Sequence, residues 1–182
     1  MITNQKKLEN KSNKNNFFMN LAFLHANRII GNTGTNPAVG CVIVKNGCVI
    51  SSGHTSYKGR PHAESNALKK GDKKKYISSS VYVSLEPCSH YGETPPCTKA
   101  LIKSRVKKVN YSIEDIDRRS FKKSKNILNL NKISTKSGLL SKEVKMLYKD
   151  YNYVKKKKYP YITGKLACSS DFHILRDNTI IT

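Results

Sequence analysis

Three side chains constrain this chain more than any other feature: His62, Cys88 and Cys97, with Glu64 two residues past the histidine. They stand in the contexts His-Ala-Glu, Pro-Cys and Pro-Pro-Cys, each at the edge of a predicted element. A hydrolytic zinc site takes three protein ligands and leaves one position open for water, and one imidazole with two thiolates suits that need. Both cysteines fall near predicted helix N-termini, where the dipole favours thiolate over thiol. Two thiolates cancel the charge of Zn2+, leaving an ion able to lower the pKa of its water from 15.7 to roughly 7. A chain using all three must therefore fold so that residues 62, 88 and 97 meet at one point. Glu64 is too close to His62 to ligate beside it and is expected to carry protons as the catalytic acid/base.

Each fragment alone has a plainer explanation. His-x-Glu usually marks a surface helix, and Pro-Cys a buried thiol. The ordered set, with Cys88 at a strand end and Cys97 at a helix start, favours the arrangement of a zinc deaminase, His-x-Glu followed by two cysteines. The usual spacing of that pair is Cys-x-x-Cys, whereas here residues 89–96 separate them. Cys41, Cys48 and Cys168 lie inside apolar runs and are expected to be small buried residues.

Hydrophobic periodicity predicts a helix from Phe17 up to a stop at Gly31, with Phe17, Met19, Leu21, Leu24 and Ile29 among Ala22, Ala26 and polar partners, then a Gly/Asn/Thr/Pro loop over Gly31–Pro37. Val39–Val44 and Cys48–Ser52 around Lys45-Asn46-Gly47 predict a hairpin. A helix is expected over His62–Lys70, a buried strand over Val81–Leu85, a helix over Cys97–Lys103 and a strand over Val106–Ser112. Weaker signals suggest a helix at Phe121–Leu128, a strand at Lys132–Thr135 and one helix at Ser141–Lys158 with a stripe at Val144, Leu147, Tyr148 and Tyr151. Tyr161–Ala167 reads as one more strand. Strands alternating with helices imply an α/β fold with a sheet covered on both faces.

At 182 residues the chain suits one domain with tails. The net charge of +22 raises a nucleic-acid partner. Of the 34 basic residues, however, only Arg28, Arg60, Arg105, Arg118, Arg119 and Arg176 are arginine. Lysine mixed with asparagine and isoleucine reads as compositional drift, and phosphate and base readers lean on arginine forks. No apolar run reaches the ~18 residues a membrane span needs. Met1–Asn16 is Lys/Asn/Ser-rich without an apolar core, so it is read as a disordered lead-in and not as a secretory signal. The five cysteines are then expected in a reducing, cytoplasmic setting.

Asn36-Pro37-Ala38-Val39-Gly40-Cys41-Val42-Ile43-Val44, Gly59-Arg60-Pro61-His62-Ala63-Glu64, Leu85-Glu86-Pro87-Cys88-Ser89-His90-Tyr91-Gly92 and Thr94-Pro95-Pro96-Cys97 together resemble the deaminase half of the bifunctional riboflavin-biosynthesis deaminase/reductase. The resemblance implies a three-layer α/β/α cytidine-deaminase-like fold with a central mixed sheet. It also implies hydrolytic deamination of 2,5-diamino-6-ribosylamino-4(3H)-pyrimidinone 5′-phosphate to the uracil derivative and ammonia. It makes His62, Cys88 and Cys97 the zinc ligands and Glu64 the catalytic group. It places Asn36, His90 and Asp115 against the substrate, with Thr55 at the position where the family often has histidine, one place after His54. A homo-oligomer is the protein partner it suggests, and a separate reductase is the partner expected if the chain is a weakened zinc-fold subunit. Nucleic acid and membrane are not favoured.

The chain departs from that pattern at several points. Glu93 stands where the family commonly has lysine or arginine, exchanging attraction for repulsion near a phosphorylated substrate. Lys58, Arg60, Arg118 and Arg119 are the candidate compensating cations. Ile116 replaces a proline, and Lys122 and Ser124 replace glycines. Residues 17–158 are thus expected to form the deaminase domain. Residues 159–182 would be a remnant of a reductase start, because Tyr159–Asp171 resembles its opening strand, with Phe172 in place of a glycine. Two further readings are a deaminase of another nucleotide or RNA, and a catalytically weakened zinc-fold subunit.

Overall fold

The structure is a computed structural model; it describes residues 2–69 and 73–170, with side chains from Ser12 onward. The described elements run α1 (Ile2–Asn27), β1 (Gly40–Lys45), β2 (Cys48–His54), α2 (Ala63–Leu68), β3 (Ser80–Leu85), α3 (Cys97–Lys103), β4 (Lys108–Ile113), α4 (Lys123–Leu130), β5 (Ser134–Lys136), α5 (Ser141–Leu147) and α6 (Lys149–Lys157). The hairpin forms where Asn46 and Gly47 predict it. Both adopt positive φ, 52° and 79°, which a tight Asn-Gly turn requires.

The strands make one mixed sheet in the order β2-β1-β3-β4-β5. β1 is antiparallel to β2 and β3, whereas β3–β4 and β4–β5 are parallel. Each parallel pair needs a crossover, and α3 and α4 provide them. Alternation along the strands decides what each face buries. Cys41, Ile43, Val81 and Val83 pack with Ala63, Ala67 and Leu101 of α2 and α3. Val42, Val44 and Tyr82 point the other way and pack with Phe18, Met19 and Ala22 of α1. These are the three layers expected.

Two glycines bring helices down onto the sheet. A Cβ on Gly40 would lie 1.9 Å from the Ala22 carbonyl oxygen, and one on Gly53 would lie 2.6 Å from both Ala63 O and Ala67 N. Alanines four residues apart on each helix complete the close approach. The second contact seats α2, the element that carries His62 and Glu64. Gly40→Ala is expected to destabilise the protein by about 3 kcal/mol or more, because a backbone carbonyl cannot rotate away as a side chain would. Chemical denaturation measures it.

Several expectations are corrected. The lead-in is helical: α1 begins at Ile2, and Asn15 is buried with its Oδ1 accepting the Tyr82 hydroxyl at 2.7 Å. A helix anchored at one end extends into residues of ordinary propensity without an apolar stripe of their own. Among the described side chains of α1 the buried apolar ones are Phe18, Met19, Ala22 and Ala26, while Phe17 and Leu24 are exposed. Small alanines set the packed face there, so following the large side chains misplaced it. Cys48 is exposed at the start of edge strand β2 and Cys168 is half-buried, although Cys41 is buried as expected. The single helix expected over Ser141–Lys158 divides at Tyr148. Tyr161–Ala167 forms no strand among the described residues, having no neighbour to share a ladder. Lys70 and the residues from Asp171 on lie outside the described residues.

Candidate metal centre and active-site cleft

His62 is the residue immediately before α2, and Pro96 likewise precedes α3, so His62 and Cys97 stand at two helix starts. Cys88 follows the end of β3 on the same sheet edge. That edge is the carboxyl end of the parallel strands β3 and β4, where open α/β sheets form ligand crevices.

The three ligand atoms lie within 4.8 Å of one another. His62 Nδ1 is 3.4 Å from Cys97 Sγ and 3.6 Å from Cys88 Sγ. Tetrahedral zinc bonds of about 2.3 Å to sulfur and about 2.05 Å to nitrogen set nitrogen–sulfur edges of about 3.6 Å. Both nitrogen–sulfur distances thus lie close to the edges of a tetrahedral zinc site. Cys88 Sγ also accepts the Cys97 backbone N–H at 3.2 Å. Hydrogen bonding from the Cys97 thiol, then from His62 and that N–H, brings Cys88 down to about 4 despite its burial. The same thiol–thiolate bond, with burial, pushes Cys97 up. The two sulfurs thus share a hydrogen bond until a cation takes the proton's place.

Glu64 lies in the first turn of α2 and is 3% exposed. Burial, followed by the Cys88 thiolate, raises its carboxyl above the ordinary range. It lines one cleft together with His62 and Cys88. Asn36, Thr55, His90 and Asp115 line this cleft as well. All four positions expected to face substrate therefore open on the same space as the metal triangle.

Their bonding differs in kind. Asn36 Nδ2 donates to Gly59 O at 3.3 Å, which fixes the amide plane. Thr55 Oγ1 accepts from Val39 N at 3.0 Å and donates to Pro37 O at 3.1 Å, so its hydroxyl is engaged in shaping the Asn36 loop. His54, the alternative one position earlier, is exposed and lines a different depression on the far side of β2. Successive strand side chains point to opposite faces, which accounts for the separation. His90 Nδ1 is 2.9 Å from Ser120 Oγ. Asp115 Oδ1 accepts from Asp117 N at 3.0 Å and from the Tyr151 hydroxyl at 3.3 Å. Its burial raises the Asp115 carboxyl.

Two positioning groups escaped the sequence reading. Glu86 is 3% exposed, and its carboxylate gathers the loop after β4. Oε2 accepts Asp115 N at 3.2 Å and Lys122 N at 3.0 Å, while Oε1 accepts Ser124 N at 3.2 Å and Ser124 Oγ at 2.8 Å. An acidic residue directly after a buried apolar strand was the available signal, since a carboxylate there must find donors. Lys122 sits at φ 56°, in the left-handed region, which explains why glycine suits that place.

Tyr148 is the second. Ser84 Oγ and Tyr148 Oη are 2.7 Å apart, Tyr148 donates to Ala38 O at 2.9 Å, and Ser84 Oγ accepts Gly40 N at 3.0 Å. The α5–α6 junction thereby pins the loop that carries Asn36. Tyr148→Phe is expected to cost about 1–2 kcal/mol, since it retains the packing and removes only the buried hydroxyl. Thermal unfolding of the two proteins checks it.

At the rim, Glu93 Oε2 pairs with Arg60 Nε at 3.1 Å, and Arg60 Nη1 donates to Thr94 Oγ1 at 3.1 Å. Of the cations proposed to offset Glu93, Arg60 and Arg119 line the cleft, whereas Lys58 and Arg118 do not.

Residues 12–113 match the family model for the cytidine and deoxycytidylate deaminase zinc-binding region. The chain is 46% identical over 121 residues to a diaminohydroxyphosphoribosylamino-pyrimidine deaminase of Buchnera aphidicola, covering 65% of this chain and 80% of that one. It is 43% identical over 136 residues to the riboflavin biosynthesis protein RibD of Chlamydia trachomatis, covering 75% of this chain but 36% of the relative. A solved deaminase/reductase from Thermotoga maritima superposes with a TM-score of 0.78 at 34% identity, covering 83% of this chain and 44% of that one. The chain therefore spans less than half the length of the RibD relatives it matches. With the family match covering residues 12–113 and the Buchnera relative covered over four-fifths of its length, this chain belongs to the zinc-binding cytidine and deoxycytidylate deaminase family, on its RibD deaminase branch.

Proposed function

We propose that this chain hydrolytically deaminates 2,5-diamino-6-ribosylamino-4(3H)-pyrimidinone 5′-phosphate, giving the 5-aminouracil derivative and ammonia. The observation that carries this reading is the triangle of His62, Cys88 and Cys97 with buried Glu64 in the same cleft. The long Cys88–Cys97 spacing and the Buchnera relative's printed name support the choice of substrate. Zn2+ is the metal that the donor set and its edge lengths fit, and when bound it supplies the Lewis acidity that makes water a nucleophile near neutral pH.

The remaining chemistry belongs to the chain. Glu64 takes a proton from the attacking water and delivers it to the ring nitrogen as the new carbon–oxygen bond forms. It then passes the second proton to the exocyclic amine, the carbon–nitrogen bond breaks, and ammonia leaves. A carboxyl raised by burial is suited to both directions of transfer. Asn36, its amide fixed by Gly59, pairs with the pyrimidine edge. Thr55 acts through the loop it holds. His90 and Asp115 contact the substrate from the strand-end loops, steadied by Ser120 and by Glu86 with Tyr151. Residues 17–158 are the proposed deaminase unit, to which the preceding part of α1 adds its Asn15 anchor. A homo-oligomer and a separate reductase remain the proposed protein partners.

Competing substrates test the assignment. Ammonia release from the diaminopyrimidine phosphate and none from cytidine, deoxycytidylate or an RNA oligonucleotide is the expected result. The reverse preference would overturn it.

A further inference from the structure

We propose that α6 supplies the phosphate-binding cation of the cleft, with Lys155 and Arg119, bridged by Asp117, receiving the substrate's 5′-phosphate. The identity of that substrate rests on the function proposed above. The two sides of the rim differ. On the inter-cysteine loop, Glu93 neutralises Arg60, whose guanidinium also holds Thr94. A dianion approaching there meets a carboxylate 80% exposed beside its only cationic partner in that ion pair.

The opposite side carries an excess of positive charge. Arg119 forks onto Asp117, with Nε 3.0 Å from Oδ1 and Nη2 2.6 Å from Oδ2. Lys155 Nζ approaches the same Oδ2 at 3.9 Å, beyond hydrogen-bond reach. Two cations thus converge on one carboxylate oxygen, leaving one unit of positive charge uncancelled among these three groups. An ammonium has three donors, and this long contact satisfies none of them well. A phosphate oxygen could bridge Lys155 and the outer edge of Arg119 while Asp117 keeps both in place.

Lys155, Arg119 and Asp117 line the same cleft as Glu64 and Cys88. Lys156, Lys157 and Lys158 follow at the exposed end of α6 and do not line the cleft, so Lys155 is the lysine of this run that faces it. Buried Glu64 and Asp115 make the interior acidic by contrast. The gradient turns the phosphate outward and the pyrimidine inward, the orientation that deamination requires.

Calorimetric titration of the zinc-loaded full chain with ribose 5-phosphate and with ribose tests this without relying on turnover. The wild type is expected to prefer ribose 5-phosphate by about tenfold or more, with the preference shrinking as salt rises. Lys155→Ala should remove most of that preference, Lys155→Arg should keep it, and Lys157→Ala should leave it intact. No preference in the wild type, or the same preference in Lys155→Ala, overturns the proposal. Ammonia release from the full substrate is then followed in parallel. A wild type that binds ribose 5-phosphate through Lys155 but releases no ammonia sinks the substrate reading alone. A wild type that turns over while Lys155→Ala keeps its phosphate preference sinks the α6 assignment alone.

Discussion

Glu64→Gln is expected to lower ammonia release by about a hundredfold to ten-thousandfold while leaving bound zinc unchanged. The amide keeps the volume of a side chain that is 3% exposed, so packing is conserved. It cannot accept and return a proton, so both transfers fail. Zinc content should hold because the converging ligand atoms belong to His62, Cys88 and Cys97. A purely structural Glu64 would show the opposite pattern, with a lower unfolding temperature and only a modest change in rate. Metal analysis, thermal unfolding and ammonia release on one preparation distinguish the two.

Glu86→Gln should produce the largest loss of stability among site residues that do not touch substrate. Four donors meet the two carboxylate oxygens. An amide offers one oxygen, and its NH2 must face either the Asp115 and Lys122 N–H groups or the Ser124 pair. Two buried donors then oppose a third. A destabilisation of about 2–4 kcal/mol follows from losing charge-assisted bonds and leaving donors unmatched. Because the same loop sets Asp115 and carries Asp117 and Arg119, KM should rise even at temperatures where the variant stays folded. Chemical denaturation combined with steady-state kinetics reads both effects. Unchanged stability would mean that the loop finds other partners for its N–H groups.

The contrast between Glu64 and Glu86 shows what the sequence could reveal. Glu64 was legible because its chemistry depends on short spacing from a ligand, and that spacing is printed in the chain. Glu86 works through donors at 115, 122 and 124, positions that converge only after β3 and β4 lie parallel. The hairpin at Asn46-Gly47, α3 and the buried runs of β1 and β3 were also legible, since local turn chemistry and periodicity determine them. α1 was misread at both ends of the argument. Its packed face is built from Ala22 and Ala26 meeting Gly40, a fit of small residues that hydrophobicity does not signal. Near its midpoint it is tied to the sheet by Asn15 and Tyr82, a pair far apart in sequence. Tyr148 was placed on an apolar stripe by periodicity, but its hydroxyl contacts with Ser84 and Ala38 depend on the tertiary fold.

The same reasoning applies to the rim. Glu93 reads in sequence as a charge reversal facing the phosphate. In the fold it forms a pair with Arg60, and the opposing cations come from the loop after β4 and from α6. A charge substitution in one loop is therefore not enough to infer a lost activity. The compensating group can enter from an element distant in the chain.

The most direct measurement is ammonia release from the diaminopyrimidine phosphate by purified protein as zinc is removed and restored. The account predicts turnover that disappears on chelation, returns with Zn2+, and stays absent in Glu64→Gln despite a full complement of metal. Folded wild-type protein holding zinc at His62, Cys88 and Cys97 but releasing no ammonia from that compound would contradict it.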